Sequence, residues 1–293
     1  MDGRDKTFKQ KVDDFMKFLW NSEEKKVMGR SGRSWAEIGF FYLIFYACLA
    51  GFFAALIAVF YQTIDEKYPK LMGTDSLLKA NPGMGYKPKP DIDSTLIRYA
   101  KNEPDTYSVF TTELNGFLDM YANQSSHVEC NTTELRPNAD LPCKVDIAAL
   151  TQNCSSANKF GFPDGEPCIL LKLNKIFDWT PELYDPAALP DSMPQDVKDI
   201  YSSENQIWIS CEGENPGDSQ NMGTPHFFPS QGFSLKFFPY MNQKGYLAPI
   251  VFVKFVGVQR NIGLMIECKA WAKNIQHNRL KKEGSVHFEL LVD

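Results

Sequence analysis

From Ile38 to Ile64 the chain runs for 27 positions without a charged residue. At about 1.5 Å of rise per residue, that length of helix exceeds the roughly 30 Å hydrocarbon core of a bilayer. A segment this apolar therefore reads as a membrane-spanning helix. It is the single such run, and one helix cannot enclose a pore, so the chain is neither a channel nor a transporter by itself. The run begins well inside the chain, is too long for the apolar region of a signal peptide, and is not followed by a small-residue cleavage site, which predicts an uncleaved signal anchor. Its polar content is the puzzle: Tyr42 and Tyr46 share a helical face with Phe53, deeper than interfacial tyrosines usually sit.

Orientation is read from the flanks. Lys25, Lys26, Arg30 and Arg33 precede the helix, whereas Asp65 and Glu66 mix with Lys67 and Lys70 after it, which favours a cytoplasmic N-terminus. Six of the seven cysteines (Cys130, Cys143, Cys154, Cys168, Cys211, Cys268) and three Asn-X-Ser/Thr sequons (Asn123, Asn131, Asn153) lie beyond it. Disulfides and N-glycans both require the lumenal or extracellular side. The expected organisation is a cytoplasmic tail over 1–37, a transmembrane helix over 38–64, an extracellular stalk over 65–100 and a disulfide-bonded β-rich ectodomain over 101–293, in a type II plasma-membrane glycoprotein.

Residues 1–37 carry nine basic and seven acidic side chains, and residues 65–293 carry 22 and 29. Net charges of +2 and −7 leave no strongly basic surface, so nucleic acid is not an expected partner. Within the tail, Phe8, Val12, Phe15 and Leu19 recur at helical spacing and predict a weakly amphipathic helix ending near Trp20. A partly ordered juxtamembrane segment is favoured over a lipid-bound one, because Asp13 and Asp14 dilute its basic face. Ser34 is the expected N-cap of the spanning helix and Trp35 an interfacial anchor.

All 18 prolines follow the membrane helix, and "NPGMGYKPKPDID" at 81–93 is too rich in Pro and Gly for helix or central strand. Further on, 248–257, 263–274 and 285–292 alternate with period two, with Leu264, Ile266, Cys268 and Ala270 inward and Met265, Glu267, Lys269 and Trp271 outward. "CILLKLNKI" and "NQIWISC" add two more strands, and 107–122 and 190–204 are expected helical inserts. Strands with turn signals between them fit a β-sandwich.

Metal binding is a poor account of the cysteines, whose gaps of 13, 11, 14, 43 and 57 residues lack close pairs, with the four histidines scattered. Disulfides fit better, though spacing alone does not choose the pairing. Cys48, inside the membrane run, reads as a small apolar residue. No nucleophile elbow, zinc-protease, P-loop or dinucleotide motif is present. The strongest enzymatic lead is Asp91-Ile-Asp93, since a D-x-D pair on a type II protein is found in metal-dependent glycosyltransferases. Such a pair needs a nucleotide-binding α/β domain before it, and only a Pro-rich passage is available, so the two aspartates read as solvated.

Several stretches in one order resemble a known family: "GRSW", "FYLIFYACLAG", "PGM", "LNKIFDWTPELYD", "WISCEGENPGD", "FFPYMNQKGYLAPIVFVKF" and "IECKAWAKNI". Together with the topology and the six cysteines, they resemble the β subunits of the sodium/potassium-transporting ATPases, with proton/potassium-pump β subunits as the alternative and a type II adhesion or receptor glycoprotein as a more distant one. The resemblance implies an immunoglobulin-like sandwich with helical and loop insertions and consecutive pairing of Cys130 with Cys143, Cys154 with Cys168 and Cys211 with Cys268, the last tying strands across the sandwich. It implies a non-catalytic subunit, with no cofactor or metal, that assembles with a catalytic α subunit, delivers it to the plasma membrane and modulates potassium binding. A small single-span regulatory subunit and membrane lipid are further partners. Tyr42, Phe45, Tyr46 and Phe53 would face the α subunit, together with Pro82, Gly83 and Met84. A second stripe, Ala47, Gly51, Ala54, Ala55 and Ala58, suits close helix approach or lipid equally.

Overall fold

The computed structural model describes residues 7–65, 67–77, 79–131, 135, 140–201, 206–278, 280–281 and 283–293. Glu66, residues 202–204 of the second expected helical insert, and Thr132 and Thr133 of the Asn131 sequon lie outside the described residues. The chain divides into two compact units, one up to Asp65 and one after it.

In the first unit, helix α1 (Phe8–Leu19) is followed by three two-residue strands, β1 (Trp20–Asn21), β2 (Lys26–Val27) and β3 (Arg30–Ser31), paired antiparallel in that order, and then by helix α2 (Gly32–Gln62). Thr7 starts α1, its backbone N–H donating to Gln10 Oε1 at 3.0 Å. Ser31 caps α2 by accepting from the Ser34 N–H at 3.5 Å. This corrects the expected cap at Ser34: the helix begins three residues earlier, and Ser34 becomes the donor. The Trp35 indole donates to the Val27 carbonyl at 3.0 Å and locks the small sheet onto the first turn of α2.

The second unit is a two-sheet sandwich. One sheet holds β4 (Met84–Lys87), β6 (Cys168–Leu173), β8 (Thr224–Phe228) and β10 (Ile250–Val256) in the order β4-β6-β10-β8, all antiparallel. The other holds β5 (Leu96–Tyr99), β7 (Gln206–Gly213), β9 (Gly232–Ser234), β11 (Leu264–Trp271) and β12 (Ser285–Val292) in the order β5-β12-β11-β7-β9. There the pair β5–β12 is parallel. Phe288 of the second sheet meets Tyr86 and Phe255 of the first, ring centroids 5.1 and 6.0 Å away, and such contacts fuse both inner faces into one core. Helix α3 (Pro104–Asp119) begins with proline at its first turn, where no amide partner is required, and buries Tyr107, Phe110 and Leu114 in the core, Tyr107 against Tyr99 and Phe162 and Phe110 against Phe162. Three short helices, α4 (Ile147–Leu150), α5 (Gln195–Ile200) and α6 (Pro216–Asn221), sit in the connections.

The five strands and two helical inserts read from period and composition are present. One other expectation is corrected. The stalk was expected to reach residue 100, yet β4 and β5 lie within 65–100 and join one sheet each. Pro and Gly around them restrict β4 to an edge, where only one row of backbone groups needs pairing. Trp271 does point to the outer face of its sheet, as expected, but that face is not open to solvent there, since Trp271 is 1% exposed. Met193, Val197 and Trp208 cover it together with Tyr184, Leu189 and Tyr201, so the outer face of β7 and β11 carries a second, smaller core. The Trp271 indole N–H donates to the buried Ser210 hydroxyl at 2.8 Å, which satisfies the one polar atom this burial would strand.

Candidate functional site

Helix α2 is, among the described residues, the one helix long and apolar enough to cross a membrane. None of its side chains is buried by the chain itself. Its aromatic residues pack on one another along the helix surface. The rings of Tyr42 and Tyr46, one turn apart, stack at 5.9 Å, those of Phe41 and Phe45 at 6.3 Å, and Phe45 meets Tyr46 edge-on at 5.4 Å. At about 100° per residue, Tyr42, Phe45, Tyr46 and Phe53 share a face about 100° wide. Ala47, Gly51, Ala54, Ala55 and Ala58 fall on the opposite face by the same rotation. One helix thus presents a ridged aromatic side, with phenolic hydroxyls, and a flat side of small residues. Opposed faces of this kind suit two different neighbours, because packing in lipid is governed by shape and by polar atoms finding partners.

The segment Pro82–Met84 is built into the sandwich. The Pro82 carbonyl accepts from Gly284 N–H at 3.0 Å, the Gly83 carbonyl accepts from Asn174 N–H at 2.9 Å, and Met84 pairs with Leu173. Gly284 has a φ of +65°, and a Cβ there would stand 2.6 Å from the Gln276 carbonyl, so the close packing of residue 284 against the 275–277 turn depends on glycine. Pro82 and Met84 are buried, and Gly83 is half-exposed. The Pro82 and Met84 side chains hold the strand in place, and Gly83 is the more exposed part of the motif. Beside it, Lys87 and the Lys89 N–H both bind Glu113 of α3. Burial lowers the Lys172 ammonium below its usual range, and the neighbouring charges of Lys87 and Lys175 push in the same direction.

The six cysteines form three disulfides, Cys130–Cys143, Cys154–Cys168 and Cys211–Cys268. The third differs from the expected geometry. Cys211 and Cys268 face each other on β7 and β11, adjacent strands of one sheet with Cα atoms 4.0 Å apart, so the bond staples a ladder and does not cross the sandwich. Asn123, Asn131 and Asn153 are all exposed. The Asn153 sequon has Cys154, disulfide-bonded and buried, as its middle residue, and the Asn153 carbonyl accepts from Asn158 Nδ2 at 2.8 Å.

Asp91 and Asp93 lie exposed between β4 and β5, where Asp91 Oδ1 accepts from the Asp93 N–H at 2.9 Å. That is a local turn, with the first carboxylate committed to backbone. Sequence reasoning missed an aromatic row assembled from three distant segments. Tyr68 meets Phe177 at 5.9 Å, Phe177 meets Tyr240 at 6.4 Å, Tyr240 meets Tyr246 at 4.8 Å, and Lys175 Nζ stands 4.7 Å above the Tyr240 ring. The only signal for it was that Phe177, Tyr240 and Tyr246 fall within two of the stretches that resemble the pump subunits.

Comparison with known proteins covers both units. A family model described as "Sodium / potassium ATPase beta chain" matches residues 5–288. Subunit beta-2 of the sodium/potassium-transporting ATPase of Drosophila melanogaster is 39% identical over 294 residues, covering 94% of this chain and 90% of its own length. A probable subunit beta-3 from Caenorhabditis briggsae is 35% identical, covering 97% and 88%, and the human subunit beta-2 is 29% identical, covering 97% and 96%.

Proposed function

Because the chain belongs to the sodium/potassium ATPase β-chain family, we propose that it is the non-catalytic partner of a P-type cation pump. The carrying observation is that the family match runs through both the membrane helix and the sandwich. In this reading the chain assembles with a catalytic α subunit, allows that subunit to fold and reach the plasma membrane, and modulates its potassium binding and occlusion. ATP hydrolysis belongs to the α subunit. The N-terminus is cytoplasmic and the sandwich extracellular, with glycans at Asn123, Asn131 and Asn153.

The physical support lies in what each unit needs. No residue of helix α2 is buried by the chain, and the aromatic face of Tyr42, Phe45, Tyr46 and Phe53 offers area and two hydroxyls that lipid tails cannot satisfy. That face is assigned to the α subunit. The small-residue face is assigned to lipid or to a small single-span regulatory subunit. On the extracellular side, Gly83 and its flanking loop supply the second contact.

Copurification tests the reading. A stoichiometric, multi-span ATPase recovered with the tagged chain from mild detergent is the expected result. Recovery of the chain alone, fully glycosylated at the cell surface, would favour an adhesion or receptor glycoprotein, and a partner driving proton/potassium exchange would move the assignment to that pump.

A further inference from the structure

We propose that helix α1 is a membrane-surface anchor, lying on the anionic cytoplasmic leaflet with Phe8, Val12, Phe15 and Leu19 in the interface. The proposal rests on the orientation given under Proposed function. None of the side chains of α1 is buried, Phe8 is 83% exposed, and Leu19 alone of the four apolar residues is half-buried, so an apolar face is formed that this chain leaves largely uncovered.

Two observations identify bilayer as the occupant. The first is charge placement. At about 100° per residue, the four apolar residues fall within about 60° of one another, Lys9 and Lys11 lie roughly a quarter turn to either side, and Asp13 and Asp14 sit on the far half of the helix. The acidic residues that dilute the net charge therefore point away from the surface the apolar face would touch. The two lysines sit where their stems can follow apolar surface while their ammonium groups reach lipid phosphates.

The second is continuity with α2. The Met28 N–H donates to the Leu19 carbonyl at 3.2 Å, Trp20 pairs with Val27, and Val27 pairs with Arg30, which precedes the α2 cap. With neighbouring strands about 4.8 Å apart, the end of α1 is held about 10 Å from the start of the membrane-spanning helix. The anchor is thus tethered at the bilayer, where a short tether makes even weak surface binding effectively intramolecular. Trp20, also exposed, follows the last turn and is the residue type that settles at a membrane interface.

The test uses the full chain with its pump partner in lipid nanodiscs of phosphatidylcholine, with or without phosphatidylserine. In a Cys48→Ala background, a spin label is placed by Phe15→Cys or Lys17→Cys, and its relaxation by oxygen is compared with that by a water-soluble nickel chelate. With phosphatidylserine present, the label at 15 should respond mainly to oxygen and the label at 17 mainly to nickel. Lys9→Gln and Lys11→Gln should each shift the position-15 label toward water by roughly fivefold in its lipid-to-water partition. Equal nickel access at 15 and 17 overturns the proposal, as does shielding of position 15 from both reagents, which would place α1 in a protein groove. Oxygen access at 15 that ignores phosphatidylserine and the lysines would overturn the anionic-lipid assignment. Failure of the orientation reading is distinguished by protease access to the tail on intact cells, since nanodiscs expose both faces and their result does not depend on sidedness.

Discussion

Helix α2 and the sandwich obtain their burial in different ways. Along α2 no side chain is buried by the chain. In the sandwich, Phe252, Phe288, Ile266 and their neighbours are wholly enclosed in a core drawn from both sheets. The sandwich thus buries an apolar core of its own, whereas α2 leaves its apolar surface to be covered from outside the chain. The contrast teaches that damage to the sandwich should appear as lost stability, and damage to α2 as altered behaviour of an assembled complex.

The largest expected effect lies in the sandwich. Replacing Cys211 and Cys268 together by serine opens a loop whose ends are 57 residues apart, at a cost of about 4 kcal/mol in the chain-entropy estimate. Urea unfolding followed by tryptophan fluorescence should show that loss, with retention in the endoplasmic reticulum as its cellular counterpart. Non-reduced peptide mapping checks the bond itself, and a peptide joining Cys168 to Cys211 would contradict it.

A smaller effect should appear with pH. His277 packs against Trp271 at 4.6 Å between centroids, and its Nε2 lies 2.8 Å from the Ala270 carbonyl. Burial lowers its pKa, with Lys269 adding to the shift while the Ala270 carbonyl and Glu267 oppose it. Below the ordinary histidine value of about 6.5, the unfolded chain therefore binds a proton that the folded one resists. Stability should be level above that pH and fall as pH drops below it. His277→Gln should flatten this decline, and an unchanged slope in pH-dependent melts would remove His277 as its cause.

In the membrane, leucine at both Tyr42 and Tyr46 keeps the hydrophobicity for insertion and removes two hydroxyls. Interactions of that kind are usually worth on the order of 1 kcal/mol or less. Insertion, glycosylation and ectodomain folding should be normal, while apparent potassium affinity of the pump shifts by a few-fold. The same change at Phe60 and Tyr61 should do less. Equal and negligible effects of the two pairs on potassium activation would place the tyrosine face against lipid.

The smallest effect is expected at Asp91 and Asp93. Alanine at both should leave unfolding midpoint and pump turnover nearly unchanged, because Asp91 serves one exposed turn hydrogen bond. A divalent-metal-dependent change in melting temperature, lost on that substitution, would show that the loop holds more than a turn.

Much of the fold was legible in the chain. The spanning helix followed from 27 uncharged positions and, whereas β10 opens with four consecutive buried apolar residues, Ile250 to Val253, β11 and β12 followed from alternation. The tyrosine face was legible for the same reason, since helical period alone brings Tyr42, Tyr46 and Phe53 together. What escaped was any property that depends on a second segment arriving from far away. Trp271 obeys the alternation of β11, but Met193 and Val197 cover its outward side. Pro82 and Met84 carry a recognisable motif, yet Gly284 and Leu173 turn that motif into part of the sheet.

Sequence by itself determined which residues are helical, which alternate, and which face of each element is apolar, because backbone geometry makes these properties of near neighbours. Tertiary structure alone decided that Cys211 and Cys268 lie on adjacent strands of one sheet, that β4 and β5 belong to opposite layers, and that the short sheet β1–β3 holds α1 near the start of α2. Each of these depends on strand order and register, which are selected by the packing of side chains distant in sequence, and no local period records which partner an element meets.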